Sequence, residues 1–238
     1  MIHFFRKMRH QLFTNNKFSK YLLYAIGEIV LVVIGILIAL QINNWNNQKL
    51  LNKAEVKSYQ SIKRQIIEDK AELTQVKGFN NYFKKSSELA NKIIEVQDYS
   101  KADSLALMAM GLSLYTDFHS SGNIYETLVN SGDIKLLKNS EIPSKLQKLE
   151  MTYINVNNLE NIHWEIIINE LSPLLRGVIN YNTKKPVKPK KLYKVEMQNY
   201  FIESIYLTIR KDSVYAKALR EIDTIINLID NELNLNQE

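Results

Sequence analysis

The hydrophobic pattern divides the chain near residue 42. Residues 21–40 form an apolar run (YLLYAIGEIVLVVIGILIAL) in which Glu28 is the only charged side chain. An α-helix rises ~1.5 Å per residue, so this run covers about 30 Å, the hydrocarbon thickness of a bilayer. The run continues into an Asn-rich segment rather than a small-residue cleavage site. The pattern therefore predicts an uncleaved transmembrane helix over residues 21–42 rather than a secretory signal peptide.

The segment before the run is basic. Residues 1–20 contain no Asp or Glu and five Lys or Arg, namely Arg6, Lys7, Arg9, Lys17 and Lys20. Because Lys and Arg are enriched on the cytoplasmic side of membrane helices, we expect a cytoplasmic leader over 1–20 and an outer domain over 43–238. Apolar spacing in residues 2–13 also predicts a basic amphipathic helix. It either lies on the membrane surface or serves only as the topology signal.

The leader accounts for most of the charge of the chain. The formal net charge of +6 falls to +1 when its five cations are set aside, so the pI near 9.2 does not indicate a basic domain. This distribution argues against nucleic acid as a partner. The absence of cysteine excludes disulfides and thiolate chemistry.

The outer domain is predicted to be an all-α helical bundle. Seven Gly and four Pro are too few for the turns of a sheet-rich fold, and apolar residues recur at helical spacing along most of the domain. The predicted helices cover 56–78, 81–97, 100–115, 123–130, 140–173, 193–210 and a last stretch from Ala218 to Leu233.

End signals support several of these helices. Gly78 is the expected end of the first, Ser100 with Asp103 resembles a capping box, and Asn123 with Glu126 can cap the short helix. Ser140 is the expected cap of the helix over 140–173, which is predicted to be the longest and to end at Pro173.

Residues 183–191 (TKKPVKPKK) contain five Lys and two Pro, which predicts an extended, exposed linker. Such a run either docks on anionic lipid head groups or envelope polymers, or is simply solvated. Solvation is the commoner case for charge runs beside Pro.

Catalytic signals are weak, and we expect the protein not to be an enzyme and to need no metal or cofactor. The chain lacks a nucleophile elbow, a phosphate loop and a His pair at metal-binding spacing. His119 on a predicted loop and His163 beside an apolar stripe are more often structural. A hydrolase would need a polar pocket that joins one of them to carboxylates.

Glu28 is the most informative single residue of the apolar run. A carboxylate in the hydrocarbon costs ~2.5 to 3.5 kcal/mol on insertion scales, so such a residue generally faces protein or water. Gly35 and Ala39 lie about 20° to either side of Glu28 around a helix. Because small residues beside a polar group let membrane helices approach closely, this face predicts contact with a second copy or another membrane protein. Alternatively, Glu28 is protonated or reaches the inner interface.

Three segments carry a family resemblance: FRKMRHQL, NKFSKYLLYAIGEIVLVVIGILIALQINNWN and, more weakly, NIYETLVNSGDIKLLKN. They resemble uncharacterised single-pass membrane proteins of flavobacteria and related Bacteroidota, a family of unknown function numbered 6090. The resemblance implies the inner membrane of a Gram-negative cell, with the outer domain in the periplasm, and implies no activity. We therefore expect a non-enzymatic envelope scaffold or sensing protein. The alternative is an ion-coupled transport accessory that uses Glu28 with a multi-pass partner.

Overall fold

The computed structural model of the chain describes residues 18–114, 117–120 and 122–235. The chain divides into two compact units, Met1–Ala54 and Glu55–Glu238. The amphipathic helix predicted over 2–13 lies outside the described residues.

Helices make up nearly all the regular structure, so the all-α prediction is confirmed. The long helices are α1 (Phe18–Glu95), α4 (Glu141–Ile166) and α7 (Val195–Leu235), and the short ones are α2 (Ala102–Leu112), α3 (Ile124–Ser131), α5 (Ser172–Arg176) and α6 (Pro189–Leu192). A π turn (Ile167–Leu171), 3₁₀ turns (Tyr99–Lys101 and Asp133–Leu136) and the strands β1 (Ile179–Asn180) and β2 (Lys185–Pro186) complete the described elements.

The second unit is built on α4, α7 and the part of α1 that begins at Glu55. Lys70 of α1 pairs with Asp223 of α7 at 2.6 Å, and further along α1 Lys77 pairs with Asp212 at 2.9 Å. The partner number falls as the α1 number rises, so the two helices are antiparallel. Cross-helix bonds from α4 to α7 follow the same order, and α4 is therefore parallel to α1.

Buried residues of these helices recur at alternating spacings of three and four, the heptad pattern of coiled coils. In α7 the pattern is unbroken over ten buried positions: Met197, Phe201, Ser204, Thr208, Lys211, Tyr215, Ala218, Ile222, Ile225 and Ile229. In α1 it covers Tyr59, Ile62, Ile66, Asp69, Leu73, Val76 and Asn80. Polar residues thus occupy core positions in both helices.

The apolar core has two parts. One cluster packs the α1 residues from Tyr59 to Val76 against α4 and the C-terminal half of α7. The other packs the end of α1 against α2, the π turn, α5 and the start of α7. Buried polar residues lie between the two clusters along all three helices.

The predicted break at Gly78 is wrong, and the separate helix over 81–97 belongs to α1. A glycine inside a helix costs only about 1 kcal/mol relative to alanine. Burial of Val76 and Asn80 on either side offsets that cost, and a Cβ at Gly78 would meet nothing within 4 Å.

The division between 210 and the last helix is also wrong, since α7 runs through it as one helix of 41 residues. The stripe of Ala218, Ile222, Ile225 and Ile229 is fully buried, as its apolar spacing predicts. The buried Thr208 lies within the helix predicted over 193–210, and the buried Lys211 continues the heptad into the predicted gap. An apolar pattern does not identify Lys211 because its side chain is charged.

The helix at 140–173 is not the longest, and it does not end at Pro173. Helical structure continues from α4 through the π turn into α5, ending at Arg176. A proline within a helix lacks a donor and clashes with the carbonyl four residues before it. The wider π turn directly before Ser172 and Pro173 changes the pattern of backbone hydrogen bonds, so the helix continues past the proline.

Helix caps follow the predictions at one of three places. Asn123 caps α3 by accepting a hydrogen bond from the backbone N–H of Glu126 at 3.2 Å, as predicted. Ser140 forms no side-chain cap of α4. The predicted capping box of Ser100 with Asp103 is wrong, since the N–H of Ser100 instead donates to Asp98.

The Lys-rich segment is exposed as predicted, but it is not an extended linker. Residues 179–186 form a small antiparallel hairpin in which Ile179 faces Pro186 and Asn180 faces Lys185. The helical turn α6 follows, with Pro189 in its first turn, where the missing donor costs little.

Candidate functional site

The apolar part of α1 is uncovered. Every side chain from Ile26 to Leu51 is exposed, and the most apolar window has no buried residue. By length and composition this helix is able to cross a membrane, a test that a signal sequence near the N-terminus also passes. The absence of burial distinguishes it from a core helix of a soluble bundle.

The predicted contact face lies on this helix. Glu28, Gly35 and Ala39 are all exposed residues of α1, and a Cβ at Gly35 would meet nothing within 4 Å. Their role in helix association stays a prediction. Of the predicted membrane-surface cations, Lys20 lies in the first turn of α1. The other four lie outside the described residues, namely Arg6, Lys7, Arg9 and Lys17.

A layer of polar residues, all buried except the half-buried His163, crosses the second unit where the two apolar clusters meet. We call it the polar layer, and it consists of Asn80 and Ser87 of α1, Glu160 and His163 of α4, and Ser204, Thr208, Lys211 and Tyr215 of α7. Asn80 donates to the Thr208 carbonyl at 3.0 Å, and the Ser87 hydroxyl donates to that of Ser204 at 3.4 Å. These bonds satisfy groups that would otherwise be costly to bury.

Glu160 is the centre of the polar layer and is 2% exposed. The Tyr215 hydroxyl donates to its Oε1 at 2.5 Å, and the backbone N–H of Phe118 donates to both carboxylate oxygens. Burial raises the pKa of Glu160 above its usual value, and these donors together with Lys211 oppose the rise. The carboxylate thus fixes the 117–120 loop to α4 and α7.

Lys211 and His163 complete the polar layer. The Lys211 ammonium lies 3.1 Å from Nδ1 of His163, where it donates to a neutral imidazole. Burial, and then the charge of Lys211, lowers the pKa of His163 to about 4. Burial also lowers the pKa of Lys211, while the charges of Glu160 and Asp117 oppose that shift.

A second buried carboxylate lies within the first apolar cluster. Asp69 of α1 is fully buried and accepts a hydrogen bond from the Tyr153 hydroxyl at 2.9 Å. Burial is the largest cause that raises the pKa of Tyr153, followed by the Asp69 charge. The phenol therefore remains a neutral donor and links α1 to α4.

The space beside His163 is small. The cleft between α2, α4, the π turn and α7 has an enclosed volume of about 10 Å³. That is about the room that a single water molecule needs. Among the described residues, no group of three or more potential ligands is placed to hold a metal ion.

The two histidines considered for catalysis differ in their surroundings. His163 is joined through Lys211 to the charge of Glu160, whereas the His119 side chain is 75% exposed and pairs at 3.4 Å with Asp117 on its own loop. The backbone N–H of His119 donates to Glu72 at 3.0 Å, which holds this loop against α1.

One known family matches about two thirds of the chain. The family described as Family of unknown function (DUF6090) matches residues 28–185. The chain belongs to this family. No curated protein and no solved structure matches the chain.

The DUF6090 match begins at Glu28 in the apolar part of α1 and ends within β2. It includes the α1 and α4 residues of the polar layer but not α7, which supplies Lys211 and Tyr215. The family therefore provides two of the three long helices of the core, and the third lies beyond the matched region.

The polar layer was missed in the sequence because its members interrupt apolar stripes. An apolar pattern does not identify Glu160, and Lys211 falls in the gap after the helix predicted over 193–210. The signal that identifies both is the three-and-four spacing of the core positions, which is unbroken in α7 and includes Val156 and Glu160 in α4.

Proposed function

We propose that the protein is a single-pass membrane protein whose helical bundle acts by binding rather than catalysis, as an envelope scaffold or sensing protein. The apolar part of α1 crosses the inner membrane. The leader is cytoplasmic, and the bundle from Glu55 onward is periplasmic.

The change of burial along α1 is the observation that carries this proposal. Apolar side chains from Ile26 to Ile42 are exposed, whereas the same helix buries a regular heptad from Tyr59 onward. An apolar surface of this size on a soluble chain is an aggregation liability, because soluble monomers rarely expose more than a few hundred Å² of contiguous apolar surface. A bilayer covers it at no such cost.

The interior of the bundle supports binding over catalysis. The ionisable groups of the polar layer bond to each other and to backbone groups, and the neighbouring cleft is small. Buried polar groups at heptad core positions are best known for fixing the register of helices. A bundle whose helices are held in one register presents a defined surface to a binding partner.

A topology experiment tests the placement. A reporter that is active only outside the cytoplasm, fused after Asn47, is expected to be active, and a cytoplasm-dependent reporter at the same site to be silent. The protein is also expected to stay in the membrane fraction after alkaline extraction. The reverse reporter pattern, or release of the protein by alkali, would refute the anchored arrangement.

A transport accessory that uses Glu28 for proton movement is the alternative function. It requires an ionisable side chain at this position, whereas a scaffold requires only a polar one. Comparison of Glu28→Gln with Glu28→Leu therefore separates the two functions.

A further inference from the structure

The segment from Gly177 to Val195, which packs against the end of α1, is strongly basic. We call the six lysines of the hairpin and its flank the basic tip: Lys184, Lys185, Lys188, Lys190, Lys191 and Lys194. The sequence from Gly177 to Val195 contains no Asp or Glu. The tip therefore gathers the charge of a whole segment at one place.

The lysines of the basic tip differ from those along the bundle. Lys63, Lys70 and Lys77 each pair with an Asp of α7. The six tip lysines are exposed, and none forms an ion pair with a residue that the structure describes. Their charge is therefore available to a partner.

A rigid base presents these lysines. Ile179, before the first tip lysine, and Leu192, between Lys191 and Lys194, are buried in the second apolar cluster. The Tyr193 hydroxyl donates to the Asp98 carbonyl at 2.8 Å, and the N–H of Val187 donates to the Val178 carbonyl at 2.9 Å. Because the backbone is already fixed, binding requires ordering of the lysine side chains only.

Exposed apolar side chains lie among the lysines. Tyr181 in the hairpin turn is 45% exposed, Val187 after β2 is 59% exposed, and Val195 at the start of α7 is 65% exposed. A soluble polyanion needs only the cations. Apolar and aromatic residues set among lysines instead match the boundary between head groups and acyl chains of an anionic bilayer.

We propose that the basic tip docks on the surface of an anionic lipid bilayer. Lysines contact phosphate-bearing head groups, while Tyr181 and Val187 enter the interfacial region. Each Lys near such a surface strengthens binding by about fivefold, so the tip suffices for docking without a deep pocket. This inference does not depend on how the apolar part of α1 is placed.

Binding to separate vesicles tests the proposal with the full chain. The protein is held in nanodiscs of phosphatidylcholine and mixed with vesicles of phosphatidylcholine, with or without phosphatidylglycerol. Co-flotation is expected with the phosphatidylglycerol vesicles alone, and it is expected to weaken at high salt because surface charges are then screened. Equal flotation with neutral vesicles, or none with either, overturns the proposal.

A charge-matched pair of variants assigns the binding to the tip. Replacement of Lys185, Lys188, Lys190 and Lys191 by Gln is expected to weaken flotation at least about tenfold. The control replaces four exposed cations elsewhere by Gln, namely Lys57, Arg64, Lys85 and Lys135, and is expected to stay within about twofold of the parent. Equal losses in the two variants contradict a specific tip. Circular-dichroism melts verify that both variants are folded.

An apolar variant separates a bilayer from a soluble polyanion. Tyr181→Ser combined with Val187→Ser is expected to reduce vesicle binding several-fold and to leave binding of dextran sulfate unchanged. If this variant binds vesicles like the parent, the tip is a general polyanion site and the bilayer proposal is wrong.

Discussion

The Nζ of Lys211 lies 3.1 Å from Nδ1 of His163, where α7 and α4 meet between the two apolar clusters. An ammonium group has no acceptor lone pair, so the imidazole accepts, and its remaining ring proton lies on Nε2. Burial, and then the charge of Lys211, lowers the pKa of His163 and favours its neutral form. This shift also makes the stability of the bundle depend on pH.

Acidification is expected to destabilise the bundle between about pH 6.5 and pH 4. The pKa of His163 is lowered to about 4 in the folded state, whereas an unfolded histidine titrates near 6.5. As the pH falls through this window, His163 binds a proton in the unfolded chain but not in the folded chain. The free energy of unfolding should decrease by about 2 to 3 kcal/mol.

His163→Gln is the matched variant, because its amide oxygen accepts from Lys211 and does not titrate. Urea unfolding at several pH values should show a smaller loss of stability in this variant across the same window. Identical pH profiles for the parent and the variant would rule out His163 as the source.

Removal of one charge from the polar layer is expected to cost more than removal of two. Glu160→Ala leaves the Phe118 N–H and the Tyr215 hydroxyl without their acceptor and the Lys211 charge without the nearby carboxylate, and should lower the free energy of unfolding by about 3 kcal/mol. Glu160→Gln combined with Lys211→Met replaces the charges with neutral groups of similar size. This double variant should be close to the parent in stability.

Denaturant unfolding of Glu160→Gln, Lys211→Met and the double variant completes the cycle. A double variant whose loss equals the sum of the two single losses would show that the charges act independently. That outcome contradicts the coupling inferred from the polar layer.

Core packing, rather than the ion pairs between α1 and α7, is expected to dominate the stability of the bundle. Lys70 and Asp223 are 43% and 52% exposed, and exposed pairs of this kind contribute about 0 to 1 kcal/mol. Ile66 is fully buried. Lys70→Ala should therefore cost less than about 1 kcal/mol, and Ile66→Ala about 2 to 5 kcal/mol. Thermal melts of the two variants measure the difference.

Much of the fold follows from the sequence, because apolar residues at helical spacing identify helices wherever the core is apolar. The stripe from Ala218 to Ile229 is of this kind, and the cap at Asn123 follows from the capping preference of Asn. Prediction failed where the core is polar. Lys211 falls in a predicted gap although it holds a heptad position, since a hydrophobicity pattern cannot distinguish a buried lysine from a solvated one.

The hairpin and the polar layer depend on tertiary contacts that local patterns do not contain. Residues 183–191 have the composition of a solvated linker, yet burial of Ile179 and Leu192 folds the surrounding chain against α2 and α7. Glu160 is similarly identified only by partners that are distant in sequence, such as Phe118 and Tyr215. The sequence therefore predicts the helices better than the polar contacts between them.

The contact face of Glu28, Gly35 and Ala39 on the apolar part of α1 is expected to hold a second membrane helix. A carboxylate that costs a few kcal/mol to insert requires a partner that offsets the cost. If Glu28 and Gly35 lie in a helix–helix interface, Gly35→Leu should block close approach. Glu28→Gln keeps a hydrogen-bonding side chain and should disturb association less than Glu28→Leu. A photo-crosslinker at Val32, on the same helix, measures association in membranes.

If Glu28 carries protons, the Glu28→Gln and Glu28→Leu variants are expected to rank differently. Neither Gln nor Leu can ionise, so both variants should then be equally damaging in a growth or envelope assay of the deletion strain. Ala39→Leu is a second test of the small-residue face, and Leu37→Ala, about 180° away from Glu28 around the helix, is its control. If Gly35→Leu, Glu28→Gln and Glu28→Leu all cross-link and function like the parent, the shared face has no role in association. Glu28 is then merely tolerated near the inner interface.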